Sequence, residues 1–337
     1  MKSPAMSLSA LRSAKSLSTG LSAALLIALA LAPVYAHLTA EPFLLTLLTR
    51  ILIFSIAALS LNLILGYGGL VSFGHALFLG LGVYVAGILT FHGVDNGWIH
   101  VLVTLAVCGI VGLITGSIAL RTAGISFIMI TLAFAQMFYF LFVSLSQYGG
   151  DDGLRLAAGS NFSGLILTSP VSLYIAAFAL LCLCLYGTHR LVHSRFGVVI
   201  QAGRINDKRM KALGYSIFRY RLAVYVISAV LCGIAGLLYG NLTQFASPSY
   251  MSWTTSGELI VMVMLGGMGT LFGPLFGAVA MILTEEWLKS WTEHWMVIFG
   301  PLLVVVITTS RLGVAGILQS VDERRARAEG RADGNAS

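Results

Sequence analysis

The stretch FLLTLLTRILIFSIAALSLNLIL, running from Phe43 to Leu65, contains a single charged residue, Arg50. Crossing a hydrocarbon core of about 30 Å takes roughly 20 apolar residues in helical form. The form must be helical because lipid offers no partners to exposed backbone groups. The stretch therefore reads as a transmembrane helix, and the same character continues on either side of it. Of the 337 residues, 58% are apolar and only 10% charged, with a mean hydropathy of +0.91. A soluble domain carries about 25% charged residues, so this chain has too little polar surface to face water all round. The expected fold class is all-α: a polytopic membrane helix bundle of about ten transmembrane helices, with broken or re-entrant glycine-rich segments.

The expected spans are Leu21–Leu38, Phe43–Leu65, Val71–Phe91, Val101–Leu120, Ile125–Leu145, Val171–Tyr186, Leu222–Leu242, Glu258–Leu271, Gly273–Leu288 and Trp295–Thr309. The eighth and ninth are short and meet beyond Gly266-Gly267-Met268-Gly269-Thr270, so two spans or one re-entrant pair fit equally. The chain divides into a cytoplasmic N-terminal segment 1–20, a permease domain 21–311 with a cytoplasmic loop 188–221, and a cytoplasmic tail 312–337. All of the 20 basic residues except Arg50, Arg155 and Lys289 then fall on one side. Cytoplasmic loops collect Lys and Arg, which places both termini inside. Leu21–Ala32 followed by Val34-Tyr35-Ala36 also fits a cleaved secretory signal, and both fates stand open. The net charge of +7 follows from topology and implies no nucleic acid.

Cys108, Cys182, Cys184 and Cys232 lie in apolar runs without metal or redox spacing, and read as packing residues. His189 and His193 stand four apart with no carboxylate between them, so a solvated face is expected and no metal site. No Gly-x4-Gly-Lys-Ser/Thr phosphate cradle is present, and the glycine-rich Leu265–Gly273 has no lysine. The chain is read as a non-enzyme without cofactors, driven by energy from elsewhere.

Polar residues at membrane depth are costly and mark candidate function. Asn62, Ser72, His75 and Glu258 are the candidates for a substrate pathway. Each has a structural alternative: Asn62 as inter-helix glue, His75 as a packing or capping group, and Glu258 as the cap of the helix it opens. Arg50 is read as a structural or snorkelling cation. In the loop Thr188–Arg221, Val198, Val199, Ala202, Met210 and Leu213 recur at helical steps, with Gly214 at a helix stop. Such amphipathic helices suit a partner protein; a basic loop lying on anionic lipid is the alternative.

Several runs resemble one family. Leu61-Asn62-Leu63-Ile64-Leu65-Gly66-Tyr67-Gly68-Gly69-Leu70-Val71-Ser72-Phe73-Gly74-His75-Ala76 is similar to the signature of the branched-chain amino-acid permeases of ABC importers, LivM type. Gly124-Ile125-Ser126-Phe127, Gly149-Gly150-Asp151-Asp152-Gly153-Leu154, Ser194-Arg195-Phe196-Gly197, Ala212-Leu213-Gly214-Tyr215, Ser256-Gly257-Glu258 and Leu265–Pro274 follow in the family's order across residues 43–318. The resemblance implies alternating access in a bacterial inner membrane, alongside a second homologous permease subunit. It also implies two cytosolic ATP-binding subunits, which hydrolyse the ATP, and a periplasmic substrate-binding protein docking near Tyr148–Ser169. Arg195, Phe196, Gly197, Arg204, Lys208, Ala212, Leu213 and Gly214 would contact the ATPase, although the Glu-Ala-Ala triplet of ABC importers is missing before Gly214. Members of the family also serve urea, short amides and other amino acids. An ion-coupled secondary carrier is the rival class.

Overall fold

The computed structural model describes residues 20–33, 42–156, 159–162, 165–167, 169–292, 294 and 297–301. Eleven helices organise them. α1 spans Gly20–Pro33. Then come α2 (Pro42–Asn62, continued by a π-turn Leu63–Tyr67), α3 (His75–Phe91), α4 (Gly97–Ala119), α5 (Ile125–Ser144) and α6 (Pro170–Val192). The short α7 (Arg195–Ile205) and α8 (Asp207–Ala212) precede α9 (Ile217–Thr243), α10 (Trp253–Gly266) and α11 (Gly273–Trp291). Strand content is two antiparallel pairs of two residues, Leu154–Arg155 with Phe245–Ala246 and Asn161–Phe162 with Leu165–Ile166.

The molecule is an all-α, multi-pass membrane protein. Among the described residues, five helical stretches are long and apolar enough to cross a bilayer: Phe43–Tyr67, Gly97–Ala119, Ile125–Ser144, Pro170–Val192 and Ile217–Thr243. Gly20–Pro33, His75–Phe91 and Trp253–Gly266 are apolar but shorter. Of the expected first and last spans, residues 34–38 and most of 295–309 lie outside the described residues.

Helix α9 is the hub, packed on α2, α3 and α4. Its approach to α3 depends on absent side chains: a Cβ at Gly236 would stand 2.8 Å from the Leu79 carbonyl carbon and 3.1 Å from its Cα. Backbones that close exchange many small van der Waals contacts, the main attraction between helices in lipid. Hydroxyls inside the spans bond back to their own helix, as Thr49 does to the Leu45 carbonyl (2.7 Å) and Ser55 to that of Ile51 (2.6 Å). Helices α4 and α5 turn apolar side chains such as Leu102, Ile110, Met129 and Phe140 outward, as a lipid-facing surface requires.

Four boundaries that bear on the site differ from expectation. Helix α3 starts at His75 rather than Val71, because Gly69 takes a positive φ of 70° and the chain turns before restarting. Helix α6 runs on to Val192 and α9 begins at Ile217, so charged turns extend both helices into the expected loop. Hydropathy sees where the apolar run ends, but a helix continues while its backbone bonds are made and long basic side chains reach water. Helix α10 begins at Trp253, which puts Glu258 in its second turn rather than at its cap.

Candidate functional site

The sequence-derived candidates separate into three places. Ser72 and His75 are both wholly buried. His75 Nε2 lies 2.7 Å from Ser228 Oγ on α9, and Ser228 in turn donates to the Ser60 carbonyl on α2. The imidazole meets Phe78 and Tyr225 edge-on. The backbone N–H of the next residue, Ala76, donates to Ser256 Oγ at 3.1 Å. This knot ties α2, α3, α9 and α10 together. A buried polar atom that loses its partner costs about 1–3 kcal/mol. His75→Ala is therefore expected to lower folded yield and uptake by the same factor, as read by size-exclusion of the detergent-extracted protein beside a transport assay.

Asn62 is equally buried and occupies a different junction. Its Nδ2 donates to the Thr270 carbonyl (2.9 Å), and its Oδ1 accepts the Gly269 N–H (3.0 Å). The side chain thus holds the glycine-rich turn between α10 and α11 against the end of α2. There the π-turn, with Gly68 N–H bonded to the Leu63 carbonyl at 3.2 Å, breaks the regular ladder. The Gly66 carbonyl accepts instead from Arg204 Nη1 on α7. The Arg204 stem lies over Gly69, where a Cβ would stand 2.7 Å from its Cγ. Loop helix, π-turn and glycine turn thereby form one contact chain.

Around that chain, α7 and α8 are capped by Ser194 (accepting from Gly197 N–H) and Asn206 (accepting from Arg209 N–H). Gly214 follows α8 with a φ of 87°, the left-handed conformation that suits glycine at a helix end. Val199 and Met210 pack inward with Ile217, whereas Val198, Ile205 and Leu213 stay exposed. Of the other residues expected to meet an ATPase, Arg195 and Lys208 are exposed, Gly197 is buried, and Phe196 stacks on Tyr220 with centroids 5.3 Å apart.

Glu258 belongs to neither junction. It lines a cavity of about 270 Å³ with Arg50, Phe54, Leu79, Tyr239 and Tyr250. Arg50 contacts Glu285 (3.3 Å) and Glu286 (3.4 Å) on α11, with Phe54 under its guanidinium at 5.7 Å. Lys289 lies 2.6 Å from Glu285. The expected structural role of Arg50 left these partners unnamed, because they stand more than two hundred residues away and no local pattern links them.

Also beyond sequence reach is an outer polar knot. His100 Nδ1 lies 2.7 Å from Ser160 Oγ, and Asn241 Oδ1 accepts the Ser160 N–H at 2.8 Å. His189 and His193 stack with ring centroids 4.3 Å apart. Among the described residues no group of three or more His, Cys, Asp or Glu is placed to hold a metal ion.

Long apolar helices broken at glycine turns, with a basic pair of helices docked on them, define a multi-pass membrane protein. Residues 43–307 match the model of the family described as the branched-chain amino acid transport system permease component, and the chain belongs to that family. It is 26% identical over 283 residues to the high-affinity branched-chain amino acid transport system permease protein LivM of Escherichia coli K12, covering 77% of this chain and 67% of the relative. It is 24% identical over 285 residues to the corresponding LivH protein of the same organism, covering 78% and 91%. A probable LivM of Methanocaldococcus jannaschii is 25% identical over 274 residues, covering 69% and 77%. No solved structure matches the chain. These relatives are permease subunits of transport systems, not enzymes.

Proposed function

We propose that the chain is the transmembrane permease subunit of a binding-protein-dependent ABC importer for branched-chain amino acids, seated in a bacterial inner membrane with both termini cytoplasmic. The carrying observation is the family match over residues 43–307, which includes the α7–α8 unit and both glycine-rich turns. About ten helices would cross the bilayer if α10 and α11 each span it, and about eight if they form a re-entrant pair; at 14 residues α10 spans roughly 21 Å, short of the hydrocarbon core, which favours the pair. A second homologous permease subunit would cover part of the apolar flank and lipid the rest. A periplasmic binding protein would dock over Tyr148–Ser169, where Asp151 and Asp152 are exposed. Two cytosolic ATPase subunits would grip the exposed Val198, Ile205 and Leu213.

Mechanistically, closure of the ATPases shifts α7, and Arg204 carries that shift to Gly66 and the Asn62–Gly269 contact. Helix α10 joins this junction to Glu258 at its other end, so the shift reaches the cavity. His75 and Ser72 support the route from α3 rather than facing the solute.

The direct test is uptake of radiolabelled leucine by the assembled transporter in vesicles. Accumulation is expected to require ATP hydrolysis and to persist when the proton gradient is collapsed. Accumulation that follows the gradient instead would assign an ion-coupled carrier and end the proposal. For the docking surface, Lys208→Glu with Leu213→Glu is expected to reduce copurification of the ATPase at least fivefold at unchanged membrane level, measured by tandem affinity purification; full copurification would remove α7–α8 from the interface.

A further inference from the structure

The cavity beside Glu258 has a chemistry that the family assignment does not supply. Arg50 and Phe54 on α2, Leu79 on α3 and Tyr239 on α9 line it, and so do the exposed Ser249 and Thr254, so the cavity is open to the surface. Arg50 stands on one wall. Its Nη atoms face Glu285 and Glu286, whereas its Nε is buried without a hydrogen-bond partner among the described residues. Glu258 lines the same cavity from the second turn of α10 and makes no ion pair among the described residues, although it lies in the fields of Arg50, Glu285 and Lys289. The rings of Phe54, Tyr239 and Tyr250 line the same cavity.

Glu258 is itself exposed, so its carboxylate is open to a ligand entering the cavity rather than sealed in the bundle. An ordinary structural carboxylate would take Arg50 for itself, yet Glu285 and Glu286 hold that cation and Glu258 is left to the cavity. We propose that this cavity is a transient receptor for the zwitterionic end of one small α-amino acid. Glu258 takes the α-ammonium, Arg50 Nε–H donates to the α-carboxylate, and the rings of Phe54, Tyr239 and Tyr250 hold the apolar side chain. The proposal rests on the transport function above and adds to it the site and the two charged groups. A volume of about 270 Å³ sits at the lower edge of ordinary ligand pockets, about 300–1,000 Å³, which suits an amino acid and excludes a peptide. A phosphatidylethanolamine headgroup, which also pairs an ammonium with an acid, is the competing source of the same chemistry.

The test is saturation-transfer NMR on the full chain in nanodiscs of phosphatidylglycerol, which has no ammonium. The probes are L-leucine, isoamylamine and 4-methylpentanoate, which present both charges, the amine alone and the acid alone. Leucine is expected to bind at least tenfold more tightly than either half. Glu258→Gln should remove that advantage and Glu258→Asp restore part of it. Because Glu258 is exposed and makes no ion pair among the described residues, folding should survive. Thr255→Trp, which fills the cavity from its wall without altering charge, should abolish all three signals. Either half binding as well as leucine, or Glu258→Gln binding leucine as wild type does, overturns the proposal. Loss of the leucine signal on adding phosphatidylethanolamine assigns the cavity to lipid and overturns it too. Leucine uptake is measured separately: binding without uptake would sink the transport function, whereas uptake without binding at Glu258 would sink only the site.

Discussion

Replacing Gly236 by valine is expected to reduce the folded protein recovered from membranes at least tenfold. Even the first carbon of the new side chain has no space, since it would stand 2.8 Å from the Leu79 carbonyl carbon and 3.1 Å from the Leu79 Cα. Those atoms are backbone inside α3, so no rotamer change relieves the contact; α3 and α9 must move apart. Overpacking typically costs 1–3 kcal/mol and occasionally more. Here the separation also strains the His75–Ser228 bond, made one turn earlier on α3 and two turns earlier on α9. Roughly 1.4 kcal/mol is a factor of ten in the folded-to-unfolded ratio, so a cost at or above the top of that range takes up a large part of the stability of a typical domain. Gly187→Ala is the matched control, because an added Cβ on α6 meets nothing within 4 Å. It should be neutral or mildly stabilising, as alanine is the better helix former. Thermal melts of a fluorescent fusion in detergent measure both. A Gly236→Val protein as stable as wild type would mean that the two helices do not meet here.

The contrast between these glycines shows what the sequence could and could not convey. Abundant glycine in an apolar chain announced close helix packing, but nothing local distinguishes Gly236 from Gly187. Only the partner helix does, and it lies more than 150 residues earlier for Gly236. The spans themselves were legible where apolar length is decisive: Phe43–Leu65 is observed as Phe43–Tyr67. They were misjudged where helices outrun their apolar core, at Val192 and Ile217, or resume after a glycine turn, at His75. Among the candidate site residues, Asn62 and His75 are tied into hydrogen-bonded junctions and Glu258 opens on the cavity. Their division into three places could not be read, because it depends on which helix each one faces. Arg50 shows the same limit from the other side. A single charge in a span was visible, but its two carboxylates on α11 were not.

Arg204→Gln is expected to lower ATP-driven uptake at least tenfold while ATPase association stays intact. The loop sequence groups Arg204 with Lys208 as two cations offered to a partner; the structure divides them. Both are exposed, but Arg204 also reaches back to the Gly66 carbonyl and covers Gly69. A hydrogen bond from a charged donor contributes about 1.5–3 kcal/mol, comparable to the 1–3 kcal/mol typical of coupling between distant sites. Losing it would let α7 follow the ATPase without displacing the π-turn or the Asn62–Gly269 contact. Distance favours the scheme: Arg50 in the cavity and Gly66 at the junction are sixteen residues apart on one continuous helix, roughly 24 Å. Arg204→Lys retains the charge but not the planar fork that spans the carbonyl and the glycine surface, so partial recovery is expected. The decisive comparison is ATP hydrolysed per leucine accumulated in vesicles. A ratio that rises at least tenfold in Arg204→Gln, with basal hydrolysis preserved, makes the contact a coupling element. A fall in hydrolysis and copurification together would return Arg204 to the docking surface beside Lys208, and the force would then have to enter the bundle through another contact of α7, such as Gly203 against Ile217.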